Sequence, residues 1–197
     1  KKPVEGNLRL RLTALKSLGL VGRAEWQSQA VKKTAASPAL ESIVSTLATA
    51  LRNTTEFVRT AAAEAVVDLR PKEIGLNADA TLPGLIGMLQ SGKLDEKDHA
   101  ALALSLIGPS ANAALLELLS KLQVQDRELR LKVVGTLGRI GSDAEALVPI
   151  LIEMLQDPDD RMRWVAISSL ARIGKYPPGT RELLTKEVND TNAPNHY

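Results

Sequence analysis

Catalysis needs convergent titratable groups, and this chain offers little of that kind. His99 and His196 are the only imidazoles, and there is no cysteine. The two histidines lie far apart, and neither opens the paired His-Glu arrangement of a helical di-iron site, so no metal centre is expected. Without cysteine there are no disulfides and no thiolate ligands. Asp157, Asp159 and Asp160 gather carboxylates as a calcium loop would. The run nevertheless lacks that loop's glycine and distal glutamate. It reads as a turn whose carboxylates cap the free amides of a helix. No phosphate-cradling glycine loop and no nucleophile elbow are present. The expectation is therefore no catalytic residue, no metal and no cofactor. Recognition chemistry remains, in arginines that grip carboxylates and aliphatic side chains that anchor a partner.

Those side chains are positioned by a pattern clearest in the stretch Asp157 to Gly174, DPDDRMRWVAISSLARIG. Met162, Ala166, Leu170 and Ile173 recur at helical spacing, and Gly174 follows as a C-cap. Upstream, Val148, Leu151, Ile152 and Leu155 mark a first helix, giving two antiparallel helices joined by a short turn. Shifting this unit back by 33 residues lands on Leu115, Leu118, Leu119 and Leu122, then Leu129, Val133, Leu137, Ile140 and Gly141. Anchoring on Gly108 gives Leu82, Leu85, Ile86 and Leu89, then Ala100, Leu104 and Ile107. Anchoring on Arg70 gives Val44, Leu47, Ala48 and Leu51, then Val58, Ala62, Val66 and Leu69. Gly22 yields a second helix alone, with Leu10, Ala14, Leu18 and Val21. Five anchors sharing these offsets define a repeat array.

An aspartate, a proline-containing turn, then Met-Arg followed by Ala, Leu and Ile-Gly resembles the HEAT repeat family, in particular its short bacterial type. The family's basic position in the second helix matches Arg11, Arg59, Arg130 and Arg163, with Lys97 in the weakest copy. Its aspartate stands as Asp157 and is replaced by Asn53, Ser91 and Val124 elsewhere. The resemblance implies a hydrogen-bonded Asp157–Arg163 pair without a continuous Asp/Arg ladder. It covers nearly the whole chain and implies an all-α, armadillo-like fold. This is a right-handed α-solenoid of stacked antiparallel helix pairs, about five repeats long.

The expected organisation is a single repeat domain over 1–197, a fragment of a longer array, with a second helix alone at 7–22. Repeats follow at 39–70, 80–108, 110–141 and 144–174, and a partial one at 180–197. Residues 23–38 form an insertion, expected to contribute a short helix with Trp26, Ala30 and Val31 on one side. Residues 71–79 read as a loop with Ile74 and Leu76 turned inward. The 80–108 copy looks degenerate, because Glu96 stands where others carry Met162 or Leu129. Arg70 in place of a terminal glycine predicts a less sharply ended helix.

Helical phase places residues 13, 9, 6 and 2 before each anchor on one second-helix surface, concave where the array curves. These are Arg9, Thr13, Lys16 and Leu20; Phe57, Ala61, Glu64 and Asp68; Asp95, His99, Leu102 and Leu106. The last two repeats add Glu128, Lys132, Gly135 and Arg139, then Arg161, Val165, Ser168 and Arg172. Candidate partner-binding residues are Leu102 and Leu106 as apolar anchors, Lys132, Arg139, Arg161 and Arg172 for carboxylates, and the neighbouring Trp164. Trp164 and Trp26 are both expected to pack against neighbouring helices.

Composition narrows the function classes. A formal charge of +2 gives no global field of the kind that draws in nucleic acid. No apolar run reaches the roughly 18 residues of a membrane span, and no signal peptide is visible. The compartment is undetermined, with a soluble, cytoplasmic protein as the expectation. The expected function is a non-enzymatic scaffold that binds a partner protein or peptide along its second helices. The alternative is nucleic-acid binding by the basic residues, against which Glu64, Asp68, Asp95 and Glu128 interrupt the row. Leu and Val faces at the ends offer a route to self-association.

Overall fold

The computed structural model describes residues 2–30, 38–71, 77–91, 93–122, 125–141, 146–174, 178–182 and 185. Its helices are α1 (Lys2–Ala30), α2 (Pro38–Ala50), α3 (Glu56–Leu69), α4 (Leu82–Ser91), α5 (Leu94–Ile107), α6 (Pro109–Lys121), α7 (Arg127–Ile140), α8 (Val148–Met154) and α9 (Asp160–Ile173). A 3-10 turn, Asp79–Thr81, leads into α4. The fold is all-α, an α-solenoid built of helix pairs. It divides into two compact units, Lys1–Ala114 and Leu115–Tyr197.

In the first unit α2 packs against α3, and α4 against α5. The apolar stripe of α2 is buried through Leu40, Ile43, Val44, Leu47 and Ala48, with Leu51 just beyond its end. Each buried leucine there is worth about 1.5–3 kcal/mol of transfer free energy. The second helices also pack on one another: α1 against α3, and α3 against α5. They run parallel, since Lys16 meets Glu64, Gly19 lies at Ala65 and Gly22 lies at Leu69.

Gly22 does not stop a helix. α1 runs through it to Ala30, so Arg23 to Ala30 continue the first second helix instead of forming a separate one. Both Gly19 and Gly22 face an alanine-rich α3. A Cβ on Gly19 would strike the Ala65 carbonyl, and one on Gly22 would come within 2.8 Å of Leu69 Cδ1. These glycines buy close helix approach. Trp26 is half-buried on the same helix. Val31, Ile74 and Leu76 lie outside the described residues, and so does the Ala30 side chain.

α3 ends sharply, against the expectation from Arg70. That residue adopts the left-handed conformation, φ 49°, and its N–H donates to the carbonyls of Val66 and Val67. Arginine thus does what Gly174 does at φ 72° after α9, without glycine's freedom from Cβ strain.

In the second unit α8 packs on α9, and α9 on α7. Gly138 of α7 again permits the contact, since a Cβ there would lie 2.6 Å from Ser169 Cβ. Met162, Ala166, Leu170 and Ile173 are buried, as their spacing predicts. Among the described residues no helix is long and apolar enough to cross a membrane.

Candidate functional site

The inter-helix turns set where each second helix begins, and a side chain repeatedly closes them. Asn53 Oδ1 accepts the Thr55 N–H at 2.9 Å, and Asp157 Oδ1 accepts that of Asp159 at 2.8 Å. Asn77 Oδ1 holds the Asp79 N–H at 2.8 Å in the same way. Asn and Asp suit this position because each mimics a backbone turn. One turn into the helix an arginine reaches back: Arg59 Nη1 donates to the Asn53 and Thr54 carbonyls at 2.8 and 3.1 Å. Arg163 Nη1 likewise donates to the Asp157 and Pro158 carbonyls at 3.0 and 3.2 Å. The Asp157–Arg163 bond therefore ends on a main-chain oxygen. The Asp157 carboxylate also accepts from Arg127 at 2.7 Å.

Glu96 is a latch between pairs. It is 1% exposed, and it receives Arg59 Nε at 2.7 Å and Nη2 at 2.6 Å. Its second oxygen accepts the Lys93 N–H at 3.2 Å, which caps α5. What sequence alone presents as a degenerate core position is a buried carboxylate with three donors.

On the second-helix surface of the first unit, Lys16 pairs with Glu64 at 2.6 Å, and His99 lies 3.5 Å from Glu64 and from Asp95. This row ties together the predicted stripes of α1, α3 and α5. Around it Leu20, Phe57 and Leu102 are 58, 64 and 41% exposed. Leu106, one turn beyond Leu102, is half-buried. Ala61 sits at the floor, buried. At the start of α5, Leu94 adds an exposed apolar side chain that the stripe spacing did not single out, next to the Lys93–Glu56 pair at 2.5 Å. The Lys93 ammonium is held above the ordinary lysine range, chiefly by that hydrogen bond to Glu56.

The second unit presents a different surface. Arg161 grips Glu128 in a fork, Nη1–Oε1 2.7 Å and Nη2–Oε2 3.0 Å, across neighbouring helices. That hydrogen bond is the main reason the guanidinium is raised further above its ordinary range. Arg139 and Arg172 are exposed at the C-terminal ends of α7 and α9, where cations also complement the helix dipoles. Lys132 is half-buried. Trp164 is 68% exposed, so it is displayed where packing between helices was expected. An open cleft between the start of α7 and the α8–α9 turn is lined by Arg127, Arg130, Glu153, Met154, Asp157 and Met162. Among the described residues no group of three or more His, Asp or Glu side chains is placed to hold a metal.

The candidate residues thus fall into two groups. Leu102 and Leu106 share the first unit's surface with Leu20 and Phe57. Lys132, Arg139, Arg161, Trp164 and Arg172 belong to α7 and α9 of the second. Glu96 and Leu94 are the residues that sequence reasoning missed. Glu96 could have been found by asking which side chain answers Arg59.

A family model for HEAT repeats matches residues 112–195. Among solved structures, a designed armadillo repeat protein in complex with the peptide (KR)4 is similar over 98% of this chain and 90% of its own, at 18% identity and a TM-score of 0.56. An engineered protein is similar over 69% of this chain and 65% of its own, at 24% identity and a TM-score of 0.47. The first of these shows a shared fold of stacked helix pairs. No curated protein matches the chain.

Proposed function

We propose that this chain, whose residues 112–195 match a family model for HEAT repeats, is a non-enzymatic scaffold that holds a protein or peptide segment against the exposed stripes of its second helices. The observation that carries this reading is the first unit's surface, where Leu20, Phe57 and Leu102 stand exposed around the Lys16–Glu64–His99 row. Exposed apolar side chains set beside charged ones can anchor a partner segment. In the second unit, Arg139 and Arg172 would receive carboxylates of a bound segment, while Arg161 is engaged by Glu128. A designed armadillo repeat protein of the same fold takes a peptide, which supports the class of partner.

Nucleic-acid binding is the weaker reading. Phosphate tracking favours an unbroken basic row, and here Glu128 occupies one of its members. The test is capture of partners from the source lysate by the chain and by its Phe57→Asp/Leu102→Asp variant. Both substitutions are at exposed positions, and circular dichroism checks that helicity is kept. Partners lost with the variant support the scaffold and place recognition on this surface. Partners retained by both, or tight salt-sensitive binding to random duplex DNA, would overturn it.

A further inference from the structure

In both units neighbouring second helices meet near their starts, but the two meetings are built differently. In the first unit Arg59 is fully engaged: its guanidinium serves the Asn53 and Thr54 carbonyls and clamps the buried Glu96 carboxylate of α5. In the second unit the same places on α7 and α9 are held by Arg130 and Met162. A thioether is only a weak acceptor and carries no charge to answer a guanidinium. The Arg130 side chain, half-buried, has no hydrogen bond or ion pair among the described residues.

Where the counterpart of Glu96 would stand there is a cleft. Arg130 and Met162 both line it, together with Met154, and Met154 and Met162 are 3 and 2% exposed. Their side chains make an apolar wall beside the guanidinium. Arg127, which also lines the cleft, is already bound to Asp157 at 2.7 Å and lies 3.6 Å from Asp159. Glu153 stands exposed at the rim and has no ion pair among the described residues. The Arg130 guanidinium is thus left uncommitted. Such a fork of donors is answered best by a carboxylate, and the flexible methionines suit methylene groups laid against them. A glutamyl side chain has both parts, and Glu96 is one seated on Arg59 at the equivalent place.

We propose that the cleft at Arg130 is a carboxylate-binding site that takes a glutamyl side chain from a segment of a partner protein. Its head lies on the Arg130 guanidinium and its methylenes lie against Met154 and Met162. The guest does between α7 and α9 what Glu96 does between α3 and α5. The site is at the turn edge of the second unit and stands whether or not the surface around Phe57 and Leu102 binds anything.

Binding is read on the whole chain by NMR, from arginine Nε–Hε and methionine methyl signals, during titration with acetyl-Ala-Glu-Ala-amide, its glutamine counterpart and free glutarate. The glutamyl peptide shifts Arg130, Met154 and Met162 in a saturable way, and the glutamine peptide binds at least tenfold more weakly. Arg139, exposed on the same helix, is the reference for unspecific ion pairing and does not saturate over that range. Glu153→Gln tightens binding by removing a like charge from the rim, and Arg130→Gln abolishes the methionine shifts. Met162→Glu supplies the carboxylate internally, so it moves Arg130 to its bound position without peptide and removes the Met154 response. Circular dichroism confirms that the variants stay helical, and should Met162→Glu unfold, Arg130→Gln carries the test alone. Equal affinity for the two peptides, an Arg139 response matching that of Arg130, or methionine shifts that survive Arg130→Gln would each overturn the proposal. So would saturation by glutarate without any response to the glutamyl peptide, because the site would then serve a free acid and not a partner protein.

Discussion

Replacing Glu96 by methionine, the residue at the equivalent point of α9, gives that position the side chain its repeat pattern calls for. The structure predicts loss of stability nonetheless. Glu96 is 1% exposed and answers Arg59 through two short contacts, 2.7 and 2.6 Å. Its removal leaves the Arg59 guanidinium with only the Asn53 and Thr54 carbonyls, and leaves the α5 cap at Lys93 open. Breaking a buried pair costs roughly 3–5 kcal/mol. The Arg59 side chain keeps 24% exposure, so water takes over part of its hydration and the cost falls toward the lower end. Methionine burial returns about 1–2 kcal/mol. The net expectation for Glu96→Met is a destabilisation of about 1–3 kcal/mol. Arg59→Met is worse, about 3–5 kcal/mol, because it strands a carboxylate that has no route to water. The double variant recovers most of the loss, since replacing both members of such a pair by apolar side chains is often neutral. Urea unfolding followed by far-ultraviolet circular dichroism measures all four proteins. The double-mutant cycle should give a coupling of about 2 kcal/mol or more. Additive effects, or a stabilising Glu96→Met, would refute the clamp and restore Glu96 as an ordinary degenerate position.

Three further outcomes follow from the geometry. Gly19→Ala destabilises by about 3 kcal/mol, because its Cβ meets the Ala65 backbone and not a movable side chain, whereas Gly87→Ala, with nothing within 4 Å, gains about 0.5–1 kcal/mol; thermal unfolding of both variants separates packing from propensity. Arg70→Gly relieves the left-handed strain and raises stability by about 0.5–1 kcal/mol in the same assay. The Glu117 carboxyl is held below the ordinary glutamate range, first by the hydrogen bond from Lys121 at 2.6 Å. The pair's small contribution is therefore present above the ordinary carboxylate range and lost as pH falls through the folded value. An NMR titration shows the Glu117 value rising toward normal in Lys121→Met.

The array was legible because burial repeats at fixed offsets: Ala62, Ala100, Val133 and Ala166 had only to be small or apolar to announce themselves. Devices that violate the pattern were not legible. Glu96 lies 37 positions from Arg59, so its carboxylate reads as a flaw until the helices are laid side by side. Gly22 reads as a stop, but in a helix that continues to Ala30 it serves contact with Leu69. Arg161 and Glu128 shared one column of the surface map, and that alignment is enough to pair them. Trp164 followed Leu131 in register, yet Leu131 is buried and Trp164 is displayed, which local spacing does not distinguish.

The turn latch explains why the repeat's aspartate can be dispensed with while its arginine persists in four of the five second helices. Arg59 and Arg163 donate to main-chain carbonyls, which every residue supplies, so the side chain six positions earlier is free of that bond. What that side chain does is accept an N–H two residues on, and Asn53 performs this as well as Asp157. Geometry is therefore secured largely by groups at the turn and the inner stripe, with a few ion pairs across the outward stripe. Leu20, Phe57 and Leu102 on one unit and Arg139 and Arg172 on the other stand exposed on that outward stripe. In an array whose interior is accounted for by its own repeats, such side chains are where a partner's chemistry should be sought.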